Sequence, residues 1–188
     1  MDSTLACLAA WMPRQRWYAA KGRPPSLRLI AWWDLPTDPG ATVRTFLVSD
    51  EGSLPPVLYQ LPVVARATAA VEASPDHVIG SPEPGTTFID GPHDPAYAGA
   101  LLQLVTDGGE GRGPGTVIVG TTTAPGLSGP PRRSRVLAGE QSNTSIIYES
   151  DDAAVPVICK VFRQLHAGLN PDIELQTALA NHGSPHVP

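Results

Sequence analysis

Lys160 stands inside an apolar run, Val157-Ile158-Cys159-Lys160-Val161-Phe162. An ammonium in such a setting needs an anion or open water, because burying it unpaired is strongly unfavourable. Two anions are within reach of the pattern. One is Glu174, in the opening turns of Asn170-Pro171-Asp172-Ile173-Glu174-Leu175; the other is a ligand phosphate. The polar stretch Gly139-Glu140-Gln141-Ser142-Asn143-Thr144-Ser145 offers backbone N–H groups together with the short side chains of Ser142, Asn143, Thr144 and Ser145. Such groups can cradle a phosphate without a large side chain having to move. The chemistry implied is the gripping of a nucleotide's phosphates, with the lysine on the phosphates and the acid on the lysine.

Each residue also has a plainer reading. A lysine on an edge strand can reach solvent with its stem against the sheet. An acid in a helix's first turns is stabilised by the helix dipole whatever else it does. The polar stretch has one glycine before it and none within, so the glycine spacings of the familiar phosphate loops are absent and a simple hairpin turn would look the same. One compositional fact favours the functional reading of Lys160. Of 13 basic residues only Lys21 and Lys160 are lysine, so a lysine within a strand reads as chosen for its compact ammonium and flexible stem. His182 and His186 are separated by Gly183 and Pro185, which prevents a shared helical face, and no metal site is expected there. No catalytic residue is expected in this chain.

The elements that would carry these residues follow from spacing. Leu5, Leu8, Ala9 and Met12 recur at helical intervals after Ser3 and Thr4, and Pro13 ends the run. Three strands are expected at 27–33, 43–48 and 57–64, separated by turn-forming sequence. Residues 72–92, dense in proline and glycine, read as a connector, and 107–115 as a flexible glycine-rich loop. Between them, Asp94 as cap and Pro95 at the first position open a helix reaching about Val105. Further strands are expected at 116–122, near Val136-Leu137, at Ile146-Ile147-Tyr148 and at 155–162, with 124–131 as loop. Asn170-Pro171-Asp172 then opens a last helix that Gly183 closes. Trp11, Trp17, Trp32 and Trp33 are expected to build the small N-terminal core or its contact with a neighbour. The whole reads as α+β, a helix on an antiparallel sheet followed by a second antiparallel sheet with a helix.

The totals narrow the function classes. With 188 residues and a net charge of −5, the chain has room for one good core or two small ones and lacks the basic balance that nucleic acid or an anionic membrane surface demands. No apolar run approaches membrane-spanning length. The N-terminus Met1-Asp2-Ser3-Thr4 does not resemble a signal peptide. Cys7 and Cys159 have no partner spacing, so a disulfide framework is not expected and a cytoplasmic location is.

Several motifs taken together resemble a known family. Gln15-Arg16-Trp17-Tyr18-Ala19-Ala20-Lys21-Gly22-Arg23 resembles the opening signature of bacterial maltokinases. Gly139 to Ser145, Lys160-Val161-Phe162-Arg163, Gly168 to Leu175 and Gly183 to Pro188 continue the likeness in order, while 34–130 match loosely. The resemblance implies a kinase of the aminoglycoside-phosphotransferase-like fold with an N-terminal cap at 1–90 and a small-lobe part at 91–188. It implies ATP and Mg2+ as cofactors and phosphorylation of maltose to maltose 1-phosphate for α-glucan synthesis, with trehalose synthase as a possible docking partner. By the same likeness Ser142 to Ser145 form the phosphate loop, Lys160 contacts the phosphates and Glu174 positions Lys160. The family's sugar pocket, catalytic aspartate and magnesium ligands lie in a helical C-terminal lobe that 1–188 does not include, so this chain alone is expected to be inactive. Two other readings stay open: a related kinase of another sugar such as glucosamine, and a non-catalytic docking module whose contact would be the basic, aromatic segment 14–23.

Overall fold

The computed structural model describes residues 2–121, 133–139, 142–149, 156–168 and 170–183. The loop expected at 124–131 and the residues Glu140, Gln141 and 184–188 lie outside these. The fold is α+β, and its strand pairings are antiparallel throughout.

The N-terminal helix α1 (Asp2–Trp11) runs into a short 3-10 turn, Met12–Arg14. Three long strands follow: β1 (Leu27–Leu35), β2 (Thr42–Asp50) and β3 (Val57–Ala67). Residues 72–92 are more than a connector. They contain β4 (Val78–Glu83) and β5 (Thr86–Asp90), a hairpin that adds to β3. The proline and glycine that hid β4 are tolerated because it is the outermost strand, where a missing donor costs no ladder bond. Helix α2 (Pro95–Asp107) begins as expected: the Asp94 carboxylate accepts from the Ala96 amide at 2.9 Å, and Pro95 sits where no donor is needed.

The glycine-rich run after α2 is likewise structured. Gly108 closes the helix in the left-handed conformation, and β6 (Glu110–Gly113) and β7 (Thr116–Val119) form a hairpin that pairs with β1. Its glycines serve close approach rather than flexibility. A Cβ on Gly113 would lie 1.8 Å from the Trp32 carbonyl oxygen. The sheet therefore resumes beyond residue 90, in the order β7-β6-β1-β2-β3-β5-β4.

A bulge sets the two faces of this sheet. The β1–β2 register slips between Leu29 and Ala31, leaving Ile30 as the extra residue. The slip reverses the alternation, so Leu27, Leu29 and Trp32 face one core while Trp33 and Leu35 face the other. The first core holds α1, Trp11, Trp17 and Tyr18 against Phe46, Val48, Tyr59, Leu61 and Val63. The four tryptophans thus divide between the two faces. The second core packs Val43 and Val64 against α2 and against a separate three-stranded sheet.

That small sheet has the order β10-β9-β8, from β8 (Arg133–Val136), β9 (Asn143–Glu149) and β10 (Val157–Phe162). Past Arg163 the chain continues as β11 (Gln164–Leu165), which pairs with Tyr59 and Leu58 of β3. The edge of β3 is thereby shared by β5 and β11. Pro62 falls between them; it has the parity of Gln60, whose amide donates to the Arg163 carbonyl, so its missing N–H faces the gap. The last helix, α3 (Pro171–Asn181), is exposed along most of its length. No helix among the described residues is long and apolar enough to cross a membrane.

Candidate functional site

The β9–β10 hairpin presents two faces, because residues alternate along each strand. Val157, Cys159 and Val161 point toward α2 and the second core, while Ile158 and Lys160 are exposed. Burial pushes the Cys159 thiol up to about 11, which makes it a packing residue rather than a nucleophile at neutral pH. Lys160 is paired across the ladder with Ser145, and Val161 with Thr144.

The polar turn is shorter than the sequence reading placed it. Asn143, Thr144 and Ser145 lie in β9, with their backbones in the ladder to β10, and only Ser142 of the four is outside the strand. Thr144 and Ser145 are buried, Asn143 is half-buried and Ser142 is exposed. The run Thr144-Ser145-Ile146-Ile147-Tyr148, rich in β-branched and aromatic residues, favours extension, and this outweighs the turn preference of its small polar members. The Thr144 hydroxyl is engaged, accepting from Arg163 Nε at 2.9 Å.

Lys160 Nζ donates to Asp172 Oδ2 at 2.8 Å, not to Glu174. Asp172 is held in place by the helix start, where the Asn170 side chain accepts its amide at 2.9 Å. Residues two apart on a helix face different directions, so one lysine cannot meet both acids in a single orientation of α3. Both partners of the pair are substantially exposed, 36% for Lys160 and 52% for Asp172, and the Lys160 head group remains open to a competing anion.

Beneath this face lies a cation that the sequence reading did not single out. Arg163 is fully buried. Its Nη2 donates to Asp90 Oδ2 at 2.8 Å, and its guanidinium carbon lies 5.2 Å from the Trp17 ring. His93 Nε2 approaches the same Asp90 oxygen at 3.8 Å, and the His93 ring stacks on His77 with centroids 3.6 Å apart. Burial lowers the His93 pKa, with Asp90 pulling the other way. The sequence did contain a signal for Arg163: a second cation three residues after Lys160 falls on the opposite side of an extended chain.

The segment 14–23 is anchored to the sheet. Trp17 and Tyr18 are buried, Tyr18 donates to Asp50 at 2.8 Å, and Lys21 donates to the Gln15 carbonyl. Asp50 also accepts the Ser26 and Gly52 amides at 2.9 and 3.1 Å. A small cleft of about 110 Å³ lined by Leu104, Asp107 and Glu110 among others shares no residue with the Lys160 face. It is well below nucleotide size. Among the described residues no three His, Cys, Asp or Glu side chains form a metal-ligand set, so none of them is given a role in holding magnesium.

Against known families, residues 11–94 match the maltokinase N-terminal cap domain. The match runs from Trp11 at the end of α1 through β1 to β5 and stops at Asp94, the residue that caps α2. It takes in Trp17, Tyr18, Asp50 and Asp90, the residues that build the first core and the buried end of the Arg163 pair. The N-terminal part of the chain, residues 11–94, is therefore similar to the cap domain of maltokinases.

Proposed function

We propose that this chain is the cap and nucleotide-side part of an ATP-dependent sugar kinase of the maltokinase kind, one that phosphorylates maltose to maltose 1-phosphate. The observation carrying this reading is the order of parts within one chain: a maltokinase cap domain at 11–94, followed by a strand that holds a single exposed lysine against an acid on the next helix. On this reading residues 1–90 are the cap and 91–188 a kinase-like small lobe.

ATP, when bound, supplies the phosphoryl group. Lys160 meets its phosphate oxygens, exchanging the Asp172 carboxylate for a stronger anion. The exposed Ser142 hydroxyl covers the phosphates from the β9 side. Thr144 and Ser145, being buried in β9, support the turn rather than touch the ligand. Asp172 keeps the ammonium extended and hydrogen-bonded until nucleotide arrives, and Glu174 would replace it as partner only if α3 turned. Phosphoryl transfer further needs groups that orient the sugar hydroxyl and the metal, so residues 1–188 by themselves are expected to bind nucleotide without turnover.

Titration of 1–188 with MgATP tests this directly, with Lys160→Gln as the control. Saturable binding that the substitution abolishes supports the reading, and the absence of binding by the unaltered chain contradicts it. Sustained maltose phosphorylation by 1–188 would overturn the expectation of inactivity. For the docking alternative, Trp17 and Tyr18 are committed to the core, while Arg14, Arg16, Lys21 and Arg23 stay exposed.

A further inference from the structure

Four hydrogen bonds and one ring contact tie residues 162 and 163 to the rest of the molecule. The Arg163 side chain reaches Thr144 on β9 and Asp90 at the end of β5, and packs near Trp17. Its carbonyl accepts from the Gln60 amide at 2.9 Å, and the Phe162 carbonyl accepts from Gln60 Nε2 at 2.7 Å. The side-chain network is only partly satisfied: Arg163 Nη1 and Asp90 Oδ1 are buried without hydrogen-bond partners among the described residues. Stability alone is a poor reason for such an arrangement, since apolar residues of similar volume often serve a buried pair's place as well or better. A directional network does what apolar packing cannot, which is to fix one strand's position against another. Arg163 is also the residue through which β10, carrying Lys160, passes into β11 on the cap sheet.

We infer that Arg163 is a positioning residue: by holding Thr144 and Asp90 together it sets the β9–β10 hairpin, and with it the Lys160 ammonium, in one register against the cap. The inference rests on the reading of Lys160 as a phosphate-holding group. It gives the cap a physical hold on the nucleotide face, because Asp90 and Trp17 belong to the matched cap region and Thr144 belongs to the hairpin.

The test uses residues 1–188 in three forms: unaltered, Arg163→Met, and Arg163→Met with Asp90→Leu, in which leucine copies the forked shape of aspartate. The single variant leaves a buried carboxylate unpaired and is expected to unfold early. The double variant removes both charges and is expected to recover the urea midpoint. Positioning predicts that it nonetheless binds MgATP about tenfold more weakly than the unaltered chain, as loss of a coupling contact would. It also predicts faster amide hydrogen exchange confined to β9 and β10, with β2 and β3 unchanged. A double variant equal to the unaltered chain in both binding and exchange would overturn the proposal. If the unaltered chain does not bind MgATP, the nucleotide reading fails while exchange still decides the positioning: faster β9–β10 exchange supports it and unchanged exchange refutes it. Should the double variant stay unstable, Thr144→Val, which removes only the hydroxyl that Arg163 holds, is read by the same two measurements and the same criteria.

Discussion

Lys160 and Arg163 are three residues apart on one stretch of chain, yet their ion pairs differ in nearly every respect. Lys160 meets Asp172 on an exposed face, with 36% and 52% of the two side chains open to solvent. Arg163 meets Asp90 with 0% and 5% open, and adds a threonine hydroxyl and a tryptophan ring. The outer pair is screened, and holding two mobile side chains together offsets much of its attraction, so it suits a group that must let go. The inner pair sits where water cannot compete, and loss of one partner strands the other. The same contrast separates the sheets: the cap sheet is covered on both faces, whereas the β8–β10 sheet packs one face on α2 and leaves Ile158 and Lys160 exposed.

The largest effect should come from breaking the inner pair. Arg163→Met should cost about 3–5 kcal/mol in urea unfolding, because Asp90 is left as a buried unpaired charge. Gly113→Ala should rank next, about 1–3 kcal/mol, since its Cβ would be driven into the Trp32 carbonyl and β6 must move off β1. Hydrogen exchange should then show the loss concentrated in β6 and β7. Tyr18→Phe should cost about 1–2 kcal/mol by removing one of the bonds to the buried Asp50.

A fourth expectation concerns pH. Because burial lowers the His93 pKa below its ordinary 6.5, the folded state disfavours the proton that the unfolded chain accepts. The resulting stability is present above about pH 6.5 and is lost as the pH falls from there toward the lowered folded value. Urea midpoints measured across that range should fall with acid, and His93→Gln should flatten the slope. The smallest effect on stability belongs to the outer pair: Lys160→Gln should change it by less than about 1 kcal/mol.

Much of the fold was legible because it was written in local chemistry. The three long strands, the Asp94-Pro95 helix start, and the Asn170-Pro171 helix start all follow from alternation and capping. Two regions mislead for one reason: in the sequence their glycine and proline signal loop. In β4 the proline is permitted by an edge, and in β6 the glycines are required by the close approach of β1, and both are facts about neighbours far along the chain. The candidate site divides in the same way. The outward direction of Lys160 was legible from alternation alone. Its partner Asp172 was not, because the choice between two acids on α3 depends on how that helix is rotated. Arg163 was hidden because its carboxylate lies 73 residues away, at the end of β5.

The account stands or falls on whether the exposed lysine exists to meet phosphate. Calorimetric titration of residues 1–188 with MgATP, beside Lys160→Gln and with unfolding midpoints for both, measures this most directly. The account predicts saturable binding by the unaltered chain and its loss on substitution, with the two midpoints agreeing within about 1 kcal/mol of stability. Equal binding by both forms, or none by the unaltered chain, would contradict it.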